Sequence, residues 1–572
     1  MGLIIFFFLL FTGLVAIVTY FKTKGEDLTT DDGYFLGGRS LTAGVIAGSL
    51  LLTNLSSVSF VGMNGQSYAA NMSVMGWEVG SGLTLVIVAL LLLPRYLKQG
   101  ITTIPDFIEA RFDSGTKQFI TVLFLISYVV NMLPITLYSG AIAMSNIFGI
   151  EQIFNVTTFQ AIFVTCWIIG IVGAIYAISG GLKAVAVSDT LNGIALVIGG
   201  LLIPIFALIY LGNMGANAGG FMGGLDILLK AAPEKLNAIG SEGDPNQLPI
   251  ATMFTGLLLV NLYYWGTDQS IIQRGLGAKN LKEGQKGLVF AGFLKVMTPL
   301  IVIIPGIIGY HIFNGTGLVT KADAIYPILV NTVLPKPLIG FFAAAMLGAI
   351  LSTFNSVLNS ASTLFALNIY KPYFSKDNDQ SKVVKAGKIF GTIIAFLAMA
   401  GSPFIYFAGT GLFDYLQKIN GFFNVPIFTI IFMGYVTRKV PAIAAKIGIS
   451  FFVFFYALTQ FKIINTSLHF LHISAILFVL SCLLMYIIGK FVPRDEDFVL
   501  EEANVVDMKP WENRFKVSGI VVYIMLAMYI VFSPLGLASS SGMGLNTLLA
   551  FIGLAIVDII IVKLLEGKYL IE

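Results

Sequence analysis

Charge is the scarcest thing in this sequence. Asp, Glu, Lys and Arg together make up 11% of 572 residues, whereas 57% are hydrophobic. Soluble globular chains carry about 25% charged residues, so a soluble fold would lack the polar surface to cover this interior. That excludes a soluble enzyme, a nucleic-acid binder and a disordered scaffold. Cysteine is nearly absent too: Cys166 and Cys482 each lie inside an apolar run, which leaves no disulfide framework. His311, His469 and His472 show no metal-ligand spacing with either cysteine, so haem, zinc and redox chemistry lack ligands. No nucleophile–base pair stands out, and the polar stretches are too short for an extramembrane domain.

What the chain has in abundance is apolar runs long enough to span a bilayer, at about 20 residues each, and 60 glycines that let such helices approach or break. The first run, Leu3 to Tyr20, has no basic residue before it and is followed by Lys22 and Lys24. That is the wrong polarity for a cleaved signal peptide and predicts a retained helix with its N-terminus outside. Basic clusters recur at Arg95–Lys117, Arg274–Lys286, Lys371–Lys388, Arg438–Lys439 and Arg494–Lys516. Loops poorer in Lys and Arg, such as Asn64–Ser73 and the Gly-rich segment Gly212–Pro249, separate them. All clusters fall on one side if the chain makes about 15 spans, or 14 if Met543–Leu565 does not cross. The reading is an all-α polytopic protein of the cell (inner) membrane with its C-terminus in the cytoplasm.

Two runs are interrupted in corresponding ways. Leu41–Val61 contains Thr53-Asn54-Leu55-Ser56-Ser57, and Ala251–Ile272 contains Asn261-Leu262-Tyr263-Tyr264-Trp265-Gly266. Each sets an Asn-Leu pair near mid-membrane, where an unsatisfied amide costs several kcal/mol. Matching interruptions in two halves point to an inverted-repeat transporter with broken helices.

The chain resembles the sodium:solute symporter family. Gly33-Tyr34-Phe35-Leu36-Gly37-Gly38-Arg39-Ser40, Ile178-Ser179-Gly180-Gly181-Leu182-Lys183-Ala184, Asn261–Gly266, Gln273-Arg274, Gln285-Lys286-Gly287, Ala324-Ile325-Tyr326-Pro327 and Leu358-Asn359-Ser360 carry the likeness, in unbroken order. The pattern is most similar to the family's bacterial sodium/galactose cotransporters. The resemblance implies a LeuT-type core of five plus five helices with accessory helices at both ends. The expected divisions are 1–40, an accessory helix and cytoplasmic loop; 41–212, the first repeat; 213–250, an external loop; 251–437, the second repeat; and 438–572, accessory helices.

Intramembrane charge is expensive and usually functional. Glu78 and Ser81 share a helix face, and Lys295 sits in the run Gly287–Ile308. Carboxylate, hydroxyl and ammonium together suit a neutral polyol, although a Glu–Lys pair also serves as a structural bridge. Asn54, Asn261 and Gln417 add amides from three spans. The resemblance makes Glu78 and Lys295 sugar contacts and Asn54, Asn261 and Gln417 polar contacts in or next to the sugar site, and Ser81 joins them from its face beside Glu78. Ser59 stands where the galactose carriers have a glutamine that reaches the sugar, which puts galactose itself in doubt. The same likeness gives Met63, Trp77 and Phe413 an outer gate and Tyr264 an inner one. It also gives a sodium ion the carbonyls of Leu52, Leu55 and Ala349 with the hydroxyls of Ser352 and Thr353. Asp189, at the end of the loop after the Gly-Gly motif, would mark the sodium exit route or a second sodium site with Asn355 and Ser356. Asp268, at the inner end of its run, reads as solvated.

The expected function is sodium-coupled symport of a sugar or sugar-like polyol by alternating access, not catalysis. The expected partners are the substrate, Na+ and the lipid bilayer, with no nucleic acid, in a monomer or weak homo-oligomer. A carboxylated solute of the sialate, proline or pantothenate type is the alternative, but Ile120–Met144 offers no Arg or Lys to clamp an acid. A channel lacks a filter motif here, and a sensor lacks an output domain.

Overall fold

The computed structural model describes residues 2–24, 39–214, 219–244, 247–319, 321–374, 379–407, 412–499, 502–503 and 505–569, without side chains at 178–184, 412–415 and 568–569. The described residues are helical, and the pairings outside helices are three isolated bridges, among them Leu41 with Ala278. Among the described residues, twelve helices are long and apolar enough to cross a membrane, and fourteen if two bent pairs each count as one span. A further interrupted run, Gly256–Gly266 followed by Gln269–Leu276, covers about 30 Å at 1.5 Å per residue. The fourteen spans stand at the lower end of the fourteen to fifteen read from the sequence.

The first broken span falls where the polar residues interrupt the apolar run. Ala43–Asn54 ends at Leu55 (φ −72°, ψ 72°) and resumes at Ser59, bent by 56°. It then continues helically through Asn64–Ala69, residues read as loop from their polarity. Ser67 bonds the Ile303 carbonyl at 2.8 Å and Asn64 accepts from the Gly306 N–H at 2.7 Å, so those polar groups are satisfied against a neighbouring helix. A Cβ at Gly306 would lie 2.3 Å from the Asn64 carbonyl oxygen, so only glycine allows this approach.

The second break is displaced from its expected place. Asn261–Gly266 stays helical, because Asn261 Nδ2 bonds the Leu257 carbonyl one turn back (3.1 Å) and its Oδ1 accepts from Ser81 (3.0 Å). The helix stops at Thr267–Asp268 instead. Asp268 is 1% exposed, not solvated: it caps the next helix through the Ser270 N–H (2.8 Å) and accepts from the Tyr128 hydroxyl (2.8 Å). Leu281–Met297 also bends, by 42°, before Pro299–Phe313, where proline supplies no N–H to continue the ladder.

Thr158–Gly212 is one helical stretch holding two spans, Thr158–Ala177 and Val185–Gly212, so Asp189 lies within a helix and not at a loop end. The segment expected as an external loop carries its own helix, Gly220–Lys230. Gly2–Thr23 and Thr158–Gly212 both pack on Lys336–Phe365, which is buried along most of its length. Leu545–Tyr569 packs on Arg514–Val531 and otherwise exposes its apolar side chains, as a lipid-facing helix does.

Candidate functional site

The break after Asn54 is held by the continuous helix Lys336–Phe365. Thr353 Oγ1 donates to the Thr53 carbonyl at 2.8 Å and lies 3.2 Å from the Ala349 carbonyl. The Thr53 hydroxyl is 3.4 Å from both the Ser352 and Ser356 hydroxyls. Leu52 and Leu55 are fully buried at the same break. Hydroxyl and carbonyl oxygens concentrated at an interrupted helix are the hard donors an alkali cation takes.

A buried charge pair lies beside this junction. Arg274 and Asp189, each 1% exposed, approach to 3.5 Å, and Ser49 bridges them by donating to Asp189 (2.9 Å) while accepting from Arg274 Nε (2.8 Å). Arg274 also bonds the Ser356 hydroxyl, and Ser352 bonds Asp189. Asp189 therefore reaches Ser356 through Arg274. The Asn355 Oδ1 is buried and has no hydrogen-bond partner among the described residues.

On the other side of the junction is a cavity of about 130 Å³. Asn54, Ser59, Glu78, Ser81, Asn261 and Gln417 all line it, as do Met63, Trp77 and Tyr264. Thr53 and Thr353 line it too, so the candidate ion position and the candidate substrate position share a wall. The side chain of Phe413 lies outside the described residues. Lys295 departs from its expected place. It is 0% exposed, absent from the cavity wall, and bonded to Glu78 and to Asn54 Oδ1, with its ammonium 5.9 Å from the centre of the Trp265 ring. Lys295 thus lies behind Glu78 and Asn54, where an ammonium in an apolar span has its counter-ion. Asn54 also bonds Tyr264, and the Ser59 hydroxyl bonds the Asn54 carbonyl at 3.1 Å.

Among the polar residues of the cavity wall, Thr136, Asn420 and Asn424 escaped the sequence reading. The asparagines flank an interruption at 421–423, between helices Leu412–Asn420 and Asn424–Val436. The signal was present in the spacing of Gln417, Asn420 and Asn424, three and four residues apart on one helical face.

The family model for the sodium:solute symporter family matches residues 34–450. The chain belongs to that family. It is 44% identical over 98% of its length, and 95% of the relative's, to the "Uncharacterized symporter YidK" of Escherichia coli. It is 33% identical over 74% of its length, and 78% of the relative's, to the "Sodium/glucose cotransporter" of Vibrio parahaemolyticus. Among solved structures it is similar to a Na+-coupled sialic acid symporter in a substrate-bound outward-open state, at TM-score 0.71 and 19% identity over 86% of this chain and 99% of that one. Mhp1, a nucleobase-cation-symport-1 family transporter, matches at TM-score 0.50 and 13% identity over 80% and 95%. The symporter is thus a multi-pass membrane protein of LeuT-type fold that couples solute movement to Na+ and is not an enzyme.

Proposed function

We propose that this symporter imports a sugar or sugar-like polyol together with sodium. The observation that carries the reading is the composition of the cavity. Its wall presents the Glu78 carboxylate, the Asn54, Asn261 and Gln417 amides and the faces of Trp77 and Tyr264. No Arg or Lys lines it among the described residues, and the nearest ammonium, Lys295, is occupied by Glu78. Such a surface exchanges hydrogen bonds with hydroxyls and packs on C–H faces, and it has no free cation for a carboxylated solute. The sodium/glucose cotransporter relative supports the same substrate class.

Sodium would take the oxygens at the break, Leu52, Leu55, Ala349, Ser352 and Thr353. Because Thr353 belongs to the ion position and also lines the cavity, beside Thr53, ion binding orders the wall that meets the sugar. Met63, Trp77 and Phe413 would close one side and Tyr264 the other. Asp189, with Asn355 and Ser356 nearby in sequence to the ion position, would line sodium release. Repeats at 41–212 and 251–437, an outside N-terminus and a cytoplasmic C-terminus follow from the paired breaks and the basic clusters; a monomer or weak homo-oligomer suits the same reading.

Calorimetry on the purified protein with D-glucose, D-galactose, myo-inositol, sialate and proline tests it. Binding of a sugar or inositol in NaCl but not in KCl is expected. Sodium-dependent binding of sialate or proline with none of the polyols would overturn the sugar reading.

A further inference from the structure

One wall of the cavity is a chain of amides that ends outside it. Asn131 lies in the π-helical bulge Tyr128–Met132, is 1% exposed and does not line the cavity. Its Nδ2 donates to Asn420 Oδ1 at 2.7 Å, and Asn420 Nδ2 donates to Gln417 Oε1 at 3.4 Å. Asn420 and Gln417 both face the cavity. Bulges of this kind concentrate at functional positions because they re-aim a side chain.

An amide has one accepting end and one donating end. With Asn420 Oδ1 turned to Asn131, the end of Asn420 that faces Gln417 is its Nδ2. Gln417 then receives at Oε1, and its Nε2 is left for the cavity. On the Glu78 side the polarity is reversed, since a carboxylate beside an ammonium only accepts, with Lys295 and Thr298 already on Oε2. We infer that Asn131 is a positioning residue that sets this polarity. The substrate hydroxyl met by Gln417 must accept a hydrogen bond, whereas the one met by Glu78 must donate. Asn131 Oδ1 is buried without a partner among the described residues, so the chain of amides ends at Asn131 and its direction is decided by which end residue 131 offers to Asn420. The inference rests on the polyol reading and adds which hydroxyl is read in which sense.

Fluorine separates the two senses, because a C–F group cannot donate. Proteoliposomes carrying the wild type would be assayed for sodium-driven uptake of D-glucose and D-galactose, with the deoxyfluoro derivatives at each ring position as competitors. At least one position should tolerate fluorine within about threefold in apparent affinity, while another loses about tenfold or more, the range for a lost hydrogen bond to a charged acceptor. In Asn131→Asp the acceptor at residue 131 turns Asn420 and Gln417 around, and the tolerated position should become intolerant. Asn131→Leu, which keeps the span apolar, should flatten the preference at that position alone. Sodium dependence should be unchanged in both variants. A fluorine pattern identical to wild type in either transporting variant overturns the inference while leaving the polyol reading intact. Absence of uptake of both sugars by the wild type overturns the two together.

Discussion

Thr353 donates its hydroxyl to the carbonyl of Thr53 at 2.8 Å, across 300 residues of sequence. This bond joins an unbroken helix to the break in another, and both residues also face the cavity. Thr353→Ala removes one oxygen from the candidate ion position. The sodium concentration for half-maximal uptake should rise about tenfold, the equivalent of roughly 1.4 kcal/mol for one net interaction. Apparent substrate affinity should fall with it, because coupling free energy is reciprocal. Unchanged sodium dependence in flux assays would take Thr353 out of the ion position.

Glu78 and Lys295 form a direct buried pair, 2% and 0% exposed. Breaking it by Glu78→Gln leaves Lys295 unpaired, at about 3–5 kcal/mol, and the melting temperature should fall. Neutralising both, as Glu78→Gln with Lys295→Met, should recover most of the melting temperature without recovering transport. Transport returning in the double variant would show that the pair serves only to hold helices.

Ser59 reaches only the Asn54 carbonyl of its own span, at 3.1 Å, although it borders the cavity. Ser59→Gln adds a longer amide to that wall. The ratio of galactose to glucose uptake should rise by about tenfold, the scale on which one added polar contact discriminates. A ratio equal to wild type would mean that residue 59 does not meet the substrate.

His469 lies just before the span Phe470–Phe491 and caps it by accepting from the Leu471 N–H at 3.4 Å. Burial, reinforced by His472, pushes its imidazole down to about 4 from an ordinary 6.5. Between those values the unfolded chain binds the extra proton and the folded chain does not, so stability is intact above pH 6.5 and declines as pH falls towards 4. Melting temperatures across this range should show that slope, and His469→Asn, which keeps an accepting cap, should flatten it. An unaltered slope in the variant would assign the pH dependence elsewhere.

The first break was legible because four of the five residues Thr53 to Ser57 are polar, more than one helical turn in an apolar run accommodates, and the structure breaks the span there. The second was misplaced by the same logic. Asn261 looks equally costly in the sequence, but a carbonyl one turn back and Ser81 on another span satisfy it, so its helix continues. Only tertiary partners decide which polar residue breaks a span. Lys295 illustrates the same limit, since its placement behind Glu78 depends on how two spans rotate against each other. Asn131 was missed because a single asparagine among apolar residues carries no periodic mark of what it meets, whereas Asn420 stood at helical spacing from Gln417.

Sodium-gradient-driven accumulation is the most direct test of the central claim. Proteoliposomes loaded with potassium buffer would be diluted into sodium or potassium buffer with labelled D-glucose or D-galactose, and the internal sugar concentration followed. Accumulation above the external concentration, present only with inward sodium and abolished when the gradient is collapsed, is the expected result. Equal uptake in sodium and potassium, or equilibration without accumulation, would contradict a sodium-driven sugar symporter.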